Sequence, residues 1–201
     1  MTLSGVLLFA VMEFLLALTP GPAVLLVISQ GMRGGFRTAA RGAAGILSGN
    51  ASYFAASAAG LGALLIASQR VFVILEWVGA GYLALLGLKM LFFPHEPDAA
   101  TSLVDPMAYR QGLLTQLANP KAIAFFTALL PQFIDPHRAI SPQFIVLGIV
   151  SITVELPVLL FYGYAADRGR ERISRHARVV ERIAGLCLVV AAAARLAAAY
   201  F

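Results

Sequence analysis

The stretch Leu18-Thr19-Pro20-Gly21-Pro22 interrupts one long apolar run, and Leu117-Ala118-Asn119-Pro120-Lys121 interrupts another further along the chain. A proline inside a helix removes one backbone hydrogen bond and clashes with the carbonyl four residues back. It also pushes the residue before it out of the α region. Thr19 and Asn119 carry side chains suited to N-capping, which would put Pro20 and Pro120 at the favoured first helical position. Each run is therefore expected to form two half-helices, with a fresh N-terminus opening partway along. Either motif alone could be a plain proline kink. Two of them, each with a capping residue and at corresponding places, favour the interrupted form.

The rest of the sequence fixes the solvent of these helices. Of 201 residues, 60 % are drawn from AVILMFWYC and only 12 % are charged, with a mean hydropathy of +0.83. Soluble domains hold about 45–50 % apolar and about 25 % charged residues. A small soluble domain could not hide so much apolar surface, because a sizeable part of it stays wet. A soluble enzyme, a disordered chain and a disulfide scaffold are thereby excluded. The single cysteine, Cys187, cannot form an internal disulfide, a redox pair or a multi-thiolate zinc site. The formal charge of +5 comes mainly from arginines in short gaps between apolar runs, a distribution that suits membrane orientation and not nucleic acid. The N-terminus lacks a basic n-region, so the first run is expected to be retained.

A hydrocarbon core about 30 Å thick needs roughly 20 apolar residues in a helix. Six runs qualify: 3–29, 43–67, 71–93, 112–134, 143–166 and 179–201. None alternates with period two, so the expected fold class is all-α, a single polytopic membrane domain over 1–201 with six transmembrane helices. Eleven basic residues flank the odd-numbered gaps, among them Arg33, Arg37, Arg41 and the cluster from Arg168 to Arg182. Three, Arg70, Arg138 and Arg195, lie on the other side. The bias puts the odd gaps in the cytoplasm and both termini outside. The proline-rich gap 94–111 reads as a cytoplasmic linker between repeat one (about 1–93) and repeat two (about 112–201). Three spans is an odd number, so the second repeat would sit inverted, as in many transporters. Gly42, Gly45 and Gly49, and Gly79 and Gly81, are expected to let helices pack closely.

On a 1.5 Å rise, Pro20 to Gln30 spans about 16 Å and Pro120 to Phe133 about 21 Å, so both new N-termini are expected near the bilayer centre. Each carries unpaired N–H donors and about half a positive charge. Facing one cavity, they would make an anion site suited to a carboxylate, with the Lys121 charge at its edge. Glu13 and Glu155 lie deep in their runs, where a charge is costly unless it faces a cavity or is protonated. Low dielectric favours the neutral acid, so both are candidate proton carriers or partners of a substrate ammonium. Pro157, close behind Glu155, is expected to loosen that helix. Asn50 and Gln116 are the further polar groups expected to line the cavity. His95, His137 and His176 fall in gaps without metal-site spacing, so no metal, cofactor or catalytic residue is expected.

These motifs resemble the LysE/RhtB family of amino-acid exporters. The resemblance rests on Leu18 to Pro22, Arg37 to Gly49, Gly79 to Leu83, Asn119 to Ala122 and Leu129 to Phe133, and on the lengths of the six runs. It implies a small inner-membrane protein that expels amino acids using the proton-motive force. The positions that match the family motifs are Thr19, Pro20, Gly21, Pro22, Asn119, Pro120, Lys121 and the acidic Glu155; the role of Glu13 rests on its depth alone. The expected function is secondary export of amino acids or close analogues in the bacterial inner membrane. Protons would be the coupling ion, lipid the surroundings, and a homo-oligomer is compatible with the plan. Export of inorganic cations is the alternative, and it calls for clustered in-span ligands. An intramembrane enzyme would need a nucleophile–base pair or metal constellation that the runs lack.

Overall fold

The computed structural model describes residues 2–59, 69–93, 105–135 and 137–173, and in the last run residues 179, 182–183, 185–190 and 193. Every regular element among the described residues is helical. Helix α1 (Leu3–Leu18) starts at Thr2, whose hydroxyl accepts from the Gly5 N–H at 3.2 Å, and stops at the extended Thr19. Helix α2 is Pro22–Ala58, α3 Gln69–Phe92, α4 Ala108–Leu117 and α5 Pro120–Ala124. After α5 the chain continues through a π-turn, Phe125–Leu129, and a 3-10 turn, Leu130–Phe133. Helix α6 (Ile140–Ile173) follows and runs through Pro157 without a break, so the loosening expected there does not interrupt it.

Both proline motifs do break their helices. The chain bends by 54° between α1 and α2, and by 45° between α4 and the segment from Pro120 to Phe133. At the second break the expected cap is present: the Asn119 side chain accepts from the Lys121 N–H, and Pro120 is the first helical residue. The first break differs. Its N-cap is Gly21, not Thr19, and Pro22, not Pro20, takes the first helical position. The Thr19 hydroxyl instead folds back to the Leu15 carbonyl at 3.0 Å and helps to finish α1.

Within α2, Gly35 has φ 73° and ψ −177°. Here the helix doubles back. Val27 and Ala43 would stand about 24 Å apart on a straight helix, yet they share one buried cluster with Ala39 and Leu159. Limb 22–34 and limb 36–58 thus form a hairpin with a one-residue corner, where charge had suggested a longer gap around Arg33, Arg37 and Arg41. Gly35 is the one positive-φ residue among the described residues, and an added Cβ would stand 3.3 Å from an Asp167 carboxylate oxygen. Side chains avoid this region at a cost of about 1–3 kcal/mol. Gly35→Ala is therefore expected to lower the unfolding midpoint of the purified protein in detergent; an unchanged midpoint would refute the strained corner.

The glycine stripe sets how closely α2 and α4 approach. A Cβ at Gly45 would strike the Tyr109 carbonyl, one at Gly112 the Gly42 carbonyl, and one at Gly49 would come within 2.9 Å of Gln116 Cβ. Gly81 does not share this role, since nothing lies within 4 Å of its Cβ position. Gly87 packs instead against Gly185 in the last run.

Apolar side chains face outward. On α1, Leu3, Leu7, Leu8, Val11 and Leu15 are 56–76 % exposed, while the buried stripe is Phe9, Glu13 and Ala17. Ile145, Ile149 and Phe161 give α6 a similar outer face. An apolar exterior around polar interior groups is the arrangement that lipid stabilises. Ile140–Gly169 is long and apolar enough to cross a membrane, and each bent pair could serve as one further span. The helices overrun the apolar runs: α4 starts at Ala108, inside the expected linker, and α6 extends on both sides of 143–166. Positions 60–67 of the second run, linker residues 94–104, basic residues 174–178 and most of the sixth run lie outside the described residues.

Candidate functional site

Each helix break leaves carbonyls and N–H groups without intrahelical partners, and other elements supply donors to several of the carbonyls. At the end of α1, the Leu18 carbonyl accepts from the Tyr162 hydroxyl of α6 at 2.9 Å. Lys121 Nζ donates to the carbonyls of Leu16 and, at 3.0 Å, Thr19. At the end of α4, the Leu117 carbonyl accepts from the Tyr53 hydroxyl of α2 at 2.7 Å. A residue at the second break thus braces the first, and a tyrosine from a long helix closes each.

The two new N-termini are not equivalent. Asn119 caps α5 with its own side chain. Gly21 makes no side-chain cap, and the first intrahelical bond of α2 runs from Leu25 N to Gly21 O at 2.9 Å. Pro22 has no N–H, so Ala23 and Val24 carry the uncapped donors, and both line the cavity between the breaks. The expected pair of open helix ends is in fact one open end and one covered by its own residue.

That cavity encloses about 50 Å³, and about 520 Å³ when the open space at its mouth is counted. It brings together Thr19, Gly21, Asn119, Lys121, Asn50, Gln116, Glu13 and Glu155. Pro20, Pro22 and Pro120 are not among its lining residues; they fix the breaks. Glu13 is buried and accepts from the Ser151 hydroxyl at 2.7 Å. Glu155 accepts from the Asn50 amide. Lys121 lies within electrostatic reach of both carboxyl groups. Gln116 Nε2 donates to Asn50 Oδ1 at 2.6 Å, and Asn119 Nδ2 donates to Gln116 Oε1 at 3.0 Å.

The rest of the lining is apolar: Leu16, Ala17, Ala122, Phe125 and Phe126. Phe126 stacks on Tyr53 with centroids 4.7 Å apart and meets Phe54 edge-on at 4.9 Å. Nothing in the sequence singles out Phe125 and Phe126, which sit in a uniformly apolar run, although the π-turn begins there. Ser151 was legible in principle, because it lies one helical turn before Glu155 on the same face of α6. A hollow edged by a lysine, an open helix end, two carboxyl groups and an apolar wall can hold a small molecule carrying charges of both signs.

A model of the LysE type translocator family matches residues 14–198. The chain belongs to the LysE type translocator family. The match includes both breaks, Asn50 and Glu155, and begins one residue after Glu13. A homoserine/homoserine lactone efflux protein of Salmonella typhimurium is 32 % identical over 157 residues, covering 77 % of this chain and 76 % of its own. A leucine efflux protein of Salmonella choleraesuis is 33 % identical over 133 residues, 63 % of each chain. An uncharacterized membrane protein of Vibrio cholerae is 37 % identical over 159 residues, 77 % of each. No solved structure matches this LysE-type chain.

Proposed function

We propose that this translocator is a secondary exporter of amino acids or close analogues in a bacterial inner membrane, coupled to protons, with both termini outside. The observation that carries the reading is the mixed charge of the cavity at the helix breaks. The Ala23 and Val24 N–H groups and the Lys121 ammonium receive the α-carboxylate, at the end of a helix that carries about half a positive charge. Glu13 and Glu155 meet the α-ammonium or carry the coupling proton, and the phenylalanine wall receives an apolar side chain. The efflux relatives are named for homoserine or homoserine lactone and for leucine, which are amino acids or a close analogue. Two broken helices, each followed by a long one, support an inverted pair of three-helix repeats, which would expose the site to either side by rocking.

A panel of radiolabelled amino acids in inverted vesicles tests the reading. With the vesicle interior acid, at least one amino acid is expected to accumulate several-fold, and its amide is expected to be carried poorly. Movement of a metal ion and of no amino acid would replace the proposal with cation export. Equal handling of acid and amide would remove the anion site.

A further inference from the structure

We propose that Asn119, Gln116 and Asn50 form a one-way chain of hydrogen-bond donors that ties the cap of the second half-helix to Glu155 and fixes which of its oxygens takes a proton. One end of this chain cannot be reversed. The backbone N–H of Lys121 can only donate, and it bonds Asn119 Oδ1 at 3.0 Å. With that oxygen committed, Asn119 must turn its amide nitrogen to Gln116 Oε1, 3.0 Å away. Gln116 then has only its nitrogen to offer Asn50 Oδ1, at 2.6 Å. Asn50 in turn offers its nitrogen to Glu155 Oε2. Turning any one amide would set donor against donor or oxygen against oxygen. All three side chains are only 3–4 % exposed, where a lost partner is costly.

Two consequences follow, and both rest on the reading of Glu155 as a proton carrier. Oε2 always receives a hydrogen bond, so the proton sits on Oε1. A charged carboxylate also accepts more strongly than a neutral acid, and aligned bonds polarise one another. Discharging Glu155 therefore slackens the chain back to the Asn119 cap, and so couples the proton to the helix break. The charged groups that face Glu155 are Glu13 on α1 and Lys121 on α5, while α2 contributes the neutral Asn50.

Asn119→Asp tests the chain. Aspartate caps a helix as well as asparagine and still accepts from Lys121, but it has no N–H to pass on. Gln116 must then turn its nitrogen to position 119, Asn50 must turn after it, and the Asn50 oxygen faces Glu155. Only a proton on Oε2 satisfies that arrangement. The titration of Glu155 is expected to move upward by about one to two pH units, the worth of one hydrogen bond to a charged group. Infrared difference spectra of the full-length protein in lipid report the carboxylic-acid C=O stretch without turnover, and Glu155→Gln in each background identifies the Glu155 band. The new carboxylate could also act through space, so the same change is made with Gln116→Met, which cuts the chain. A shift in Asn119→Asp that disappears in Gln116→Met/Asn119→Asp supports the proposal. No shift, or an equal shift in both backgrounds, overturns it. Absence of any titrating band that Glu155→Gln removes would overturn the proton-carrier reading itself, and the chain proposal with it.

Discussion

Inverted vesicles carrying Glu155→Gln are expected to equilibrate substrate and to concentrate none of it when the interior is made acid. Glutamine keeps the shape of the side chain and an oxygen for the Asn50 amide, so the hydrogen-bond chain and the packing of α2 on α6 persist. What it removes is the group proposed to gain and lose a proton inside the cavity. On the proposed function, a carrier without that group keeps its two open states and its substrate site, and exchange of labelled for unlabelled substrate is expected to continue. Coupling does not. The measurement compares the accumulation ratio under the gradient, expected to fall to about one, with the exchange rate, expected to stay within about tenfold of the parent protein. Accumulation at the parent level would take Glu155 out of the coupling step.

Replacing Lys121 by methionine should have the second large effect. Its ammonium holds the carbonyls of Leu16 and Thr19 across the cavity from its own helix. Methionine fills similar space and offers no donor, so the Thr19 carbonyl loses its partner, the Leu16 carbonyl keeps only the Thr19 N–H, and two carboxyl groups lose the cation beside them. Hydrogen bonds to charged groups contribute about 1.5–3 kcal/mol each, so transport is expected to fall roughly a hundredfold. Paired substrates separate the two roles of this residue. If Lys121 also receives the carboxylate, the amino acid loses more than its amide; if it only braces α1, both lose equally. Near-parental transport in Lys121→Met would contradict both roles.

The sequence disclosed the helix breaks because a missing proline N–H is a local fact that tertiary packing cannot undo. It did not disclose where the first half-helix starts. Thr19-Pro20-Gly21-Pro22 offers two prolines for one first-turn position, and the choice depends on Thr19 finding the Leu15 carbonyl. Lys121 was legible as a charge near the site. Its reach across to α1 was not, because that contact joins positions more than a hundred residues apart. The apolar runs stop on either side of the charged stretch 33–41, whereas helices pass through Arg33 on one limb and into Arg37 and Arg41 on the next. The corner between them was hidden among Gly31, Gly34 and Gly35, any of which could adopt the required backbone. Asn50 and Gln116 were legible as buried amides, but their alignment depends on how closely Gly45, Gly49 and Gly112 let α2 and α4 approach.

The corner at Gly35 also bears on where movement can occur. A turn of a single residue contains no slack, and the limbs it joins share a packed cluster from Val27 to Ala43. They form the two arms of a wishbone, with Asn50 on one and the uncapped tip at Gly21 on the other. A swing of α1 against α2 would pivot at residues 19–21, and the amide that touches Glu155 would stay with the tip.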